Sequence, residues 1–242
     1  MANFEVSTFA DANEVTQEII ADLLTLITAR TWLGSETHIA LTGGRVGGAI
    51  ASGLLSIDEI ANNQLLHIWW SDERYVPIGH PDRNDIVLPE LAQTARVKIH
   101  AVPGPDTTDS VEQAAQEYAK TLHLCTTTRF CTDNTLMDVT ILSIGPDGHV
   151  ASLFPRSEQL VSTAGTLAIT DSPKPPPVRV TWTYPTINAS QEVWLVSCGR
   201  EKAPIISALV SGTTVGEIPA SGAHGKQKTR LIIDDESGEL LS

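Results

Sequence analysis

Residues 137–155 read MDVTILSIGPDGHVASLFP, and this stretch decides the fold that the sequence predicts. Its first part, Val139 to Ile144, is a short apolar run rich in β-branched residues, which is typical of a strand buried on both faces. The run stops at Gly145-Pro146-Asp147-Gly148, because proline ends a hydrogen-bond ladder and Asp-Gly tolerates a tight turn. His149 follows directly. Open α/β sheets bind ligands at the carboxyl ends of their strands, so this imidazole lies at a candidate ligand-binding edge.

The rest of the chain decides whether this segment is more than a turn with an exposed loop histidine, since one such histidine is weak evidence for catalysis. Predicted strands and helices alternate along it. The pattern therefore predicts an α/β fold, a doubly wound, mainly parallel sheet with helices on both faces in a Rossmann-like three-layer arrangement, with residues 1–242 as one domain. Helices are predicted over residues 11–32, 51–60, 109–124 and 199–209, and further strands over 38–42, 66–71, 97–102, 192–198, 230–234 and, half-exposed, 178–185.

Charge and hydropathy exclude several classes of partner. The 242 residues include 16 Lys plus Arg against 29 Asp plus Glu, a net charge of −13. This field repels phosphate backbones and anionic lipids, so we expect no nucleic acid and no membrane partner. No apolar run approaches the roughly 20 residues of a membrane helix, and the first residues lack the pattern of a secretory signal. We therefore expect a cytoplasmic protein, whose oligomeric state the sequence leaves open.

The cysteines give no sign of a metal site or of disulfides. Cys125, Cys131 and Cys198 are odd in number and show no paired Cys-x-x-Cys spacing. We interpret them as reduced thiols. Because the histidine spacing is no more suggestive, the sequence predicts neither a metal nor a cofactor.

A glycine-rich segment, Gly43-Gly44-Arg45-Val46-Gly47-Gly48, follows the strand predicted over residues 38–42. A turn of this kind lets backbone N–H groups approach an anion at a helix N-terminus. It matches neither G-x-G-x-x-G nor a Walker loop, so a small phosphoester fits better than a dinucleotide. Glycines that only allow close packing of helix on strand explain the segment about equally well. Lys202 lies in the first turn of a later predicted helix, where the helix macrodipole makes a positive charge unfavourable. A bound anion beside Lys202 would offset this penalty.

Two further segments stand out in the sequence. Asp72-Glu73-Arg74 follows the strand predicted over residues 66–71, and charged side chains there must be solvated, paired or turned to a cleft. For Arg74, the sequence is about equally consistent with a contact to a ligand and with an ion pair to Asp72 or Glu73. Residues 171–177, with four prolines, are either an ordered surface loop or a mobile flap.

Three blocks of this sequence together resemble the 6-phosphogluconolactonase family, within the larger group that includes the glucosamine-6-phosphate isomerases and deaminases. The blocks are LTGG at residues 41–44, SDERYVP at 71–77 with His80-Pro81-Asp82 and Asn84, and GPDGHVASLFP at 145–155. The surroundings of Arg179 and residues 192–202 and 218–221 are similar to the family's C-terminal features. The resemblance spans nearly the whole chain.

The resemblance implies an enzyme that hydrolyses 6-phospho-D-glucono-1,5-lactone to 6-phospho-D-gluconate in the oxidative pentose phosphate pathway, without metal or cofactor. An imidazole with a pKa of about 6.5 is partly neutral in the cytosol, so His149 is expected to be the general base that activates water. Asp147 or Asp72 orients it or holds sugar hydroxyls. The cationic and N–H groups expected to bind the phosphate are Arg179 and Lys202, with Gly43, Gly44, Arg45 and Arg74 as further contacts.

Two departures from the family pattern bear on this assignment. The family usually has Ser-Thr-Pro after the two glycines, whereas Arg45-Val46-Gly47 here loses a hydroxyl and gains a guanidinium. The isomerase–deaminase branch typically has a glutamate that helps open the sugar ring at the position of Phe154, so the hydrolase branch fits better. The alternatives are a glucosamine-6-phosphate isomerase/deaminase and a non-catalytic sugar-phosphate binding protein.

Overall fold

A seven-stranded parallel sheet forms the centre of the molecule. The structure, a computed structural model, describes residues 4–87, 96–127 and 135–241, and Cys131 lies outside these ranges. The sheet and its helices confirm the predicted three-layer α/β fold. In spatial order the strands are β1 (Glu5–Phe9), β10 (Lys228–Asp234), β9 (Ser190–Ser197), β6 (Met137–Ser143), β2 (Thr37–Leu41), β3 (Leu66–Trp70) and β5 (Lys98–Ile99).

The strand order reverses between β2 and β6. From β2 the chain moves outward through β3 to β5, whereas from β6 it moves the other way through β9 to β10. Connections on either side of such a point leave the sheet in opposite directions, which opens a crevice at the carboxyl ends of the two strands. β2 runs into Gly43 and β6 runs into the turn before His149. The fold thus brings the two most distinctive sequence segments to one crevice.

The sequence predicts a half-exposed strand over residues 178–185, and this prediction is wrong about the exposure of the strand. β8 (Arg179–Trp182) belongs to a separate antiparallel sheet, between β4 (Asp72–Arg74) and β7 (Thr166–Ile169). All four of its residues are buried, not alternately exposed. Trp182 packs into the core, and Thr181 on the opposite face accepts a hydrogen bond from the Ser152 N–H. Polar alternation here marks a strand that is covered on both faces by other parts of the protein.

The helix predicted over residues 51–60 is also wrong in its bounds. α2 (Gly44–Leu55) begins inside the glycine-rich segment, and a break at Ser56 separates it from α3 (Asp58–Ala61). Gly47 permits this early start, because a Cβ there would lie 1.9 Å from the carbonyl oxygen of Thr42. Close packing of helix on strand therefore explains Gly47, while Gly43 and Gly44 line the crevice.

The helices predicted over residues 11–32 and 109–124 begin and end close to those bounds, the one predicted over 199–209 begins at Ala203, and two short helices were not predicted. Asp11 caps α1, accepting hydrogen bonds from two backbone N–H groups of its first turn. Within the described residues, no helix is long and apolar enough to cross a membrane. These helices are α1 (Ala12–Trp32), α4 (Val111–Thr127), α5 (Tyr184–Ile187), α6 (Ala203–Val210) and α7 (Asp235–Gly238).

Candidate active site

The turn after β6 presents His149 to the crevice. Asp147 Oδ1 lies 2.5 Å from His149 Nδ1. A carboxylate can only accept, so the shared proton belongs to Nδ1 and the imidazole lone pair is left on Nε2. The ring packs directly on Gly145, where a Cβ would lie 2.0 Å from it. The Gly-Pro-Asp-Gly-His segment therefore both forms a turn and fixes the orientation of the imidazole.

Phe154 supports the other side of the imidazole. Its buried ring stacks on His149 with 4.7 Å between ring centroids. An aromatic face beside His149 restricts rotation of the imidazole and adds no proton donor or acceptor. The position at which the isomerase–deaminase branch is expected to carry a carboxylate thus serves here to hold the imidazole.

Lys174 joins this pair, although the sequence analysis did not single it out. Its ammonium lies 3.1 Å from Asp147 Oδ1 and 3.2 Å from His149 Nδ1. Burial alone would raise the pKa of Asp147, but the hydrogen bond with His149 and the charge of Lys174 outweigh it and hold that pKa well below its usual range. The only available signal was a lysine among the four prolines of residues 171–177, which does not reveal its partner.

The guanidinium of Arg179 contacts both the proline-rich loop and the crevice. Nε donates to the carbonyl oxygen of Pro176 at 2.9 Å and Nη2 to that of Lys174 at 2.9 Å, which fixes the proline-rich loop over β8. Nη1 lies 3.7 Å from Asp72 Oδ2 and faces the crevice. Asp72 Oδ2 in turn accepts a hydrogen bond of 2.6 Å from the Ser152 hydroxyl. Asp72 therefore contacts Ser152 and Arg179, and it lines the same cavity as His149.

Arg74 lies directly opposite Arg179 in the antiparallel pairing of β4 with β8. Like charges in this position are destabilising unless an anion lies between them. Burial and the charge of Arg74 lower the pKa of Arg179, against the opposing effect of Asp72. Arg74 donates to the Asp82 carbonyl oxygen, but its buried Nε has no hydrogen-bond partner among the described residues. No described ion pair joins it to Asp72 or Glu73, so the expected alternative of a structural pair is not what the structure contains.

Glu73 instead anchors the segment beside the site. Its buried carboxylate accepts hydrogen bonds from the backbone N–H groups of Arg74, Asn84 and Asp85 at 2.8, 2.7 and 3.1 Å. Burial raises the pKa of Glu73 to about 7, although the nearby Arg83 opposes this effect. Asn84, held in this way, donates to the carbonyl oxygen of Asp72 at 2.8 Å. Glu73 therefore fixes the position of Asp72 and does not itself line the crevice.

The crevice holds two adjoining cavities. The first, of about 220 Å³, is lined by His149. The second, of about 420 Å³, lies beyond Gly43, Gly44 and Lys202, which line both. Arg45 is exposed and lines only the second cavity, so it is the one predicted site residue that the fold does not bring to His149. The charged and backbone groups around the first cavity include Asp72, Arg74, Arg179, Lys202, Gly43 and Gly44.

Lys202 carries a half-buried charge with no counter-ion among the described residues. Its side chain makes no hydrogen bond or ion pair with another residue in ranges 4–87, 96–127 and 135–241. Burial lowers the pKa of its ammonium, and the negative charges nearby only partly compensate. Together with the N-terminus of α2 at Gly44, this arrangement favours a bound anion.

A different set of side chains comes close to metal-binding geometry at the opposite, amino-terminal edge of the sheet. One donor atom each from Glu36, His38 and His67 lie within 4.8 Å of one another. However, the two imidazoles are stacked, with ring centroids 4.0 Å apart. Trp69 Nε1 also donates to His38 Nδ1, so a neutral His38 carries its proton on Nε2, the atom that a metal would need. These residues fit a hydrogen-bonded cluster better than a metal site.

Comparisons with known proteins agree with this geometry. A family model described as glucosamine-6-phosphate isomerases/6-phosphogluconolactonase matches residues 10–232. The 6-phosphogluconolactonase of Streptomyces coelicolor is 34% identical over 241 residues, which cover 96% of this chain and 92% of that protein. The human 6-phosphogluconolactonase is 31% identical over 246 residues, covering 98% of this chain and 93% of its own.

Solved structures share the fold. The 6-phosphogluconolactonase of Leishmania guyanensis superposes with a TM-score of 0.84 at 19% identity over 99% of both chains. That of Thermotoga maritima gives 0.80 at 24% identity over 96% of this chain and all of the other. A monomeric glucosamine-6-phosphate deaminase gives 0.75 at 20% identity. Fold alone therefore does not separate the two activities, and the side chains of the site must do so.

Proposed function

Because the chain belongs to the glucosamine-6-phosphate isomerase/6-phosphogluconolactonase family, we propose that it hydrolyses 6-phospho-D-glucono-1,5-lactone to 6-phospho-D-gluconate, a step of the oxidative pentose phosphate pathway. One observation carries the choice within the family. An Asp147–His149 pair opens on a cavity edged by cations, and Phe154 stands where ring opening would need a carboxylate.

The reaction begins at Nε2 of His149. A water molecule between Nε2 and carbon one of the lactone loses a proton to the imidazole as its oxygen attacks the carbonyl carbon. The bond from carbon one to the ring oxygen then breaks, and the imidazolium returns its proton to that oxygen. The acid product ionises, so each turnover releases one proton. A lactone is an activated ester, and general-base catalysis of about 10² to 10⁴ together with positioning is sufficient without a covalent intermediate.

Cationic groups hold the distant phosphate. Lys202, whose ammonium forms no ion pair in the part of the chain that the structure describes, and the N-terminus of α2 at Gly43 and Gly44 form one side of its site. Arg74 offers a planar guanidinium from the other side, and Arg179 contributes its Nη1 while its remaining nitrogens hold the proline-rich loop. Arg45 lies outside this cavity and acts only through its longer-range charge.

The chain acts as one α/β domain on a small sugar phosphate. With a net charge of −13, we expect no nucleic acid among its partners. The negative surface also requires that the attraction for substrate be local, which is why the cations are gathered in the crevice.

The test is to supply two substrates to the purified protein. The lactone, generated in situ, should release protons at neutral pH well above its spontaneous rate. Glucosamine 6-phosphate should release no ammonia, because the carboxylate for ring opening is absent at Phe154. Ammonia release would favour the deaminase alternative, and ligand-induced thermal stabilisation without any turnover would favour a sugar-phosphate binding protein.

A further inference from the structure

The ammonium of Lys174 lies behind the proposed base, on the side away from substrate. It contacts both members of the Asp147–His149 pair at 3.1 and 3.2 Å, yet Lys174 is not among the residues that line the His149 cavity. Its contact with Nδ1 cannot be a hydrogen bond donated to that nitrogen, because Nδ1 carries the proton shared with Asp147. The Lys174–His149 contact is therefore one of charge.

The backbone holds Lys174 in this place. The Ser172 hydroxyl lies 3.1 Å from the Lys174 carbonyl oxygen and accepts from the Lys174 N–H at 3.3 Å. Arg179 Nη2 donates to the same carbonyl oxygen at 2.9 Å. The ammonium also lies 5.9 Å from the centre of the Phe154 ring, the ring that supports the imidazole. The backbone of Lys174 is thus held by contacts that do not involve the charge of its side chain, and the ammonium adds a contact with the Phe154 ring.

This position resolves an electrostatic conflict in the proposed mechanism. A carboxylate 2.5 Å from Nδ1 orients the imidazole, but it also favours the protonated ring, which cannot act as a base. The positive charge of Lys174, in contact with both groups, disfavours protonation of the imidazole. It leaves the hydrogen bond between Asp147 and His149 in place. Resting on the proposed function, we infer that Lys174 is a positioning residue that lets Asp147 orient His149 while keeping the imidazole in its neutral, basic form.

Other charges around the imidazole do not have this geometry. They line the cavity on the Nε2 side, where the substrate dianion would offset the cations on binding. Among the described residues, Lys174 is the cation that lies against Nδ1, at 3.2 Å. The charged groups that face His149 are Asp147 from its own loop, Lys174 from the proline-rich loop, and Asp72, Arg74, Arg179 and Lys202 across the cavity.

The test is the pH dependence of kcat/KM for Lys174→Met and Lys174→Gln, with spontaneous lactone hydrolysis subtracted. The acid limb should move to higher pH by about one unit, as expected for loss of an adjacent charge. kcat/KM should fall about tenfold on that limb while the alkaline plateau stays within about threefold. Lys174→Arg should restore the wild-type profile. Lys120→Met removes a charge from the exposed face of α4 and is the matched control, with no shift expected.

A loss of activity that is equal at every pH would overturn the inference and leave Lys174 a structural residue of the loop. A second measurement does not depend on turnover. The imidazole resonance that disappears in His149→Gln identifies His149 by NMR, and its titration should move upward in Lys174→Met. An unmoved titration would overturn the inference even if the wild type hydrolyses the lactone. Absence of lactone hydrolysis by the wild type would instead refute the proposed function alone.

Discussion

Replacing Lys202 by methionine tests how the site binds phosphate. The change removes a half-buried ammonium but keeps the length of the side chain. Two unit charges about 4 Å apart attract by about 4 kcal/mol at an effective dielectric constant of about 20. The desolvation of both groups reduces this, so a net loss of about 2 to 3 kcal/mol is expected, similar to other charged hydrogen bonds. This corresponds to a fall in kcat/KM of roughly 30- to 150-fold.

The fall in kcat/KM should appear mainly as a higher KM, since we propose that Lys202 binds the phosphate, which does not react. Proton release by wild type and Lys202→Met is measured with the phosphorylated lactone and with D-glucono-1,5-lactone. The substitution should change kcat/KM for the phosphate-free lactone by less than about threefold, because no dianion is present to lose its partner. Lys120→Met controls for the change in net charge.

The same substitution should leave folding intact. Lys202 makes no side-chain hydrogen bond or ion pair within the described ranges, so its removal breaks no internal contact. Thermal unfolding of Lys202→Met should therefore occur at or slightly above the wild-type temperature. Equal losses of kcat/KM for both lactones would refute the assignment of Lys202 to the phosphate. A KM for the phosphorylated lactone within threefold of wild type would refute it as well.

Two further predictions concern stability. Glu73→Gln should lower the free energy of unfolding by about 1 to 3 kcal/mol, because an amide NH₂ would face backbone donors such as the Asp85 N–H. Urea denaturation measures this change, with Glu117→Gln on the exposed face of α4 as the control. Equal stabilities of Glu73→Gln and the control would contradict the prediction. Burial lowers the pKa of His100 to about 4, so the unfolded chain takes up a proton that the folded chain refuses, and stability should fall as pH drops from about 6.5 toward about 4. Since His100 is partly exposed, we expect this protonation to lower the free energy of unfolding by about 1 to 2 kcal/mol. His100→Phe, which can keep the stacking on Trp69, should lose less stability between pH 7 and pH 5 than wild type. An equal loss in both proteins would disprove the assignment to His100.

The parts of the fold that depend on local pattern were predictable. α1 carries apolar residues at helical spacing after the Asp11 cap, and Val15, Ile19, Leu23 and Ile27 at that spacing are buried. β6 reads as a continuous apolar run because both its faces are covered. β1 was missed, since its residues 5–9 form a partly exposed edge strand whose pattern depends on pairing with β10. β5 has only two residues in place of the six predicted.

The site was predictable where a motif combined several residue types and was not where contacts cross between elements. His149 and Asp147 were found because turn, acid and imidazole are adjacent in sequence. Lys174 was missed because it is 25 residues from His149, on a loop whose position depends on Arg179. Arg179 was predicted as a phosphate ligand only, and its second role became visible once the carbonyl groups around it were located.

The most direct test of the account is the rate of lactone hydrolysis by His149→Gln at neutral pH. Glutamine keeps a polar side chain on the loop but cannot accept the proton of water. kcat should fall by about 10² to 10⁴, with KM within a few-fold of wild type and with the fold retained, because the imidazole is a loop group and not part of the core. If His149→Gln retains a kcat within tenfold of wild type, the imidazole is not the base, and the proposed mechanism is wrong.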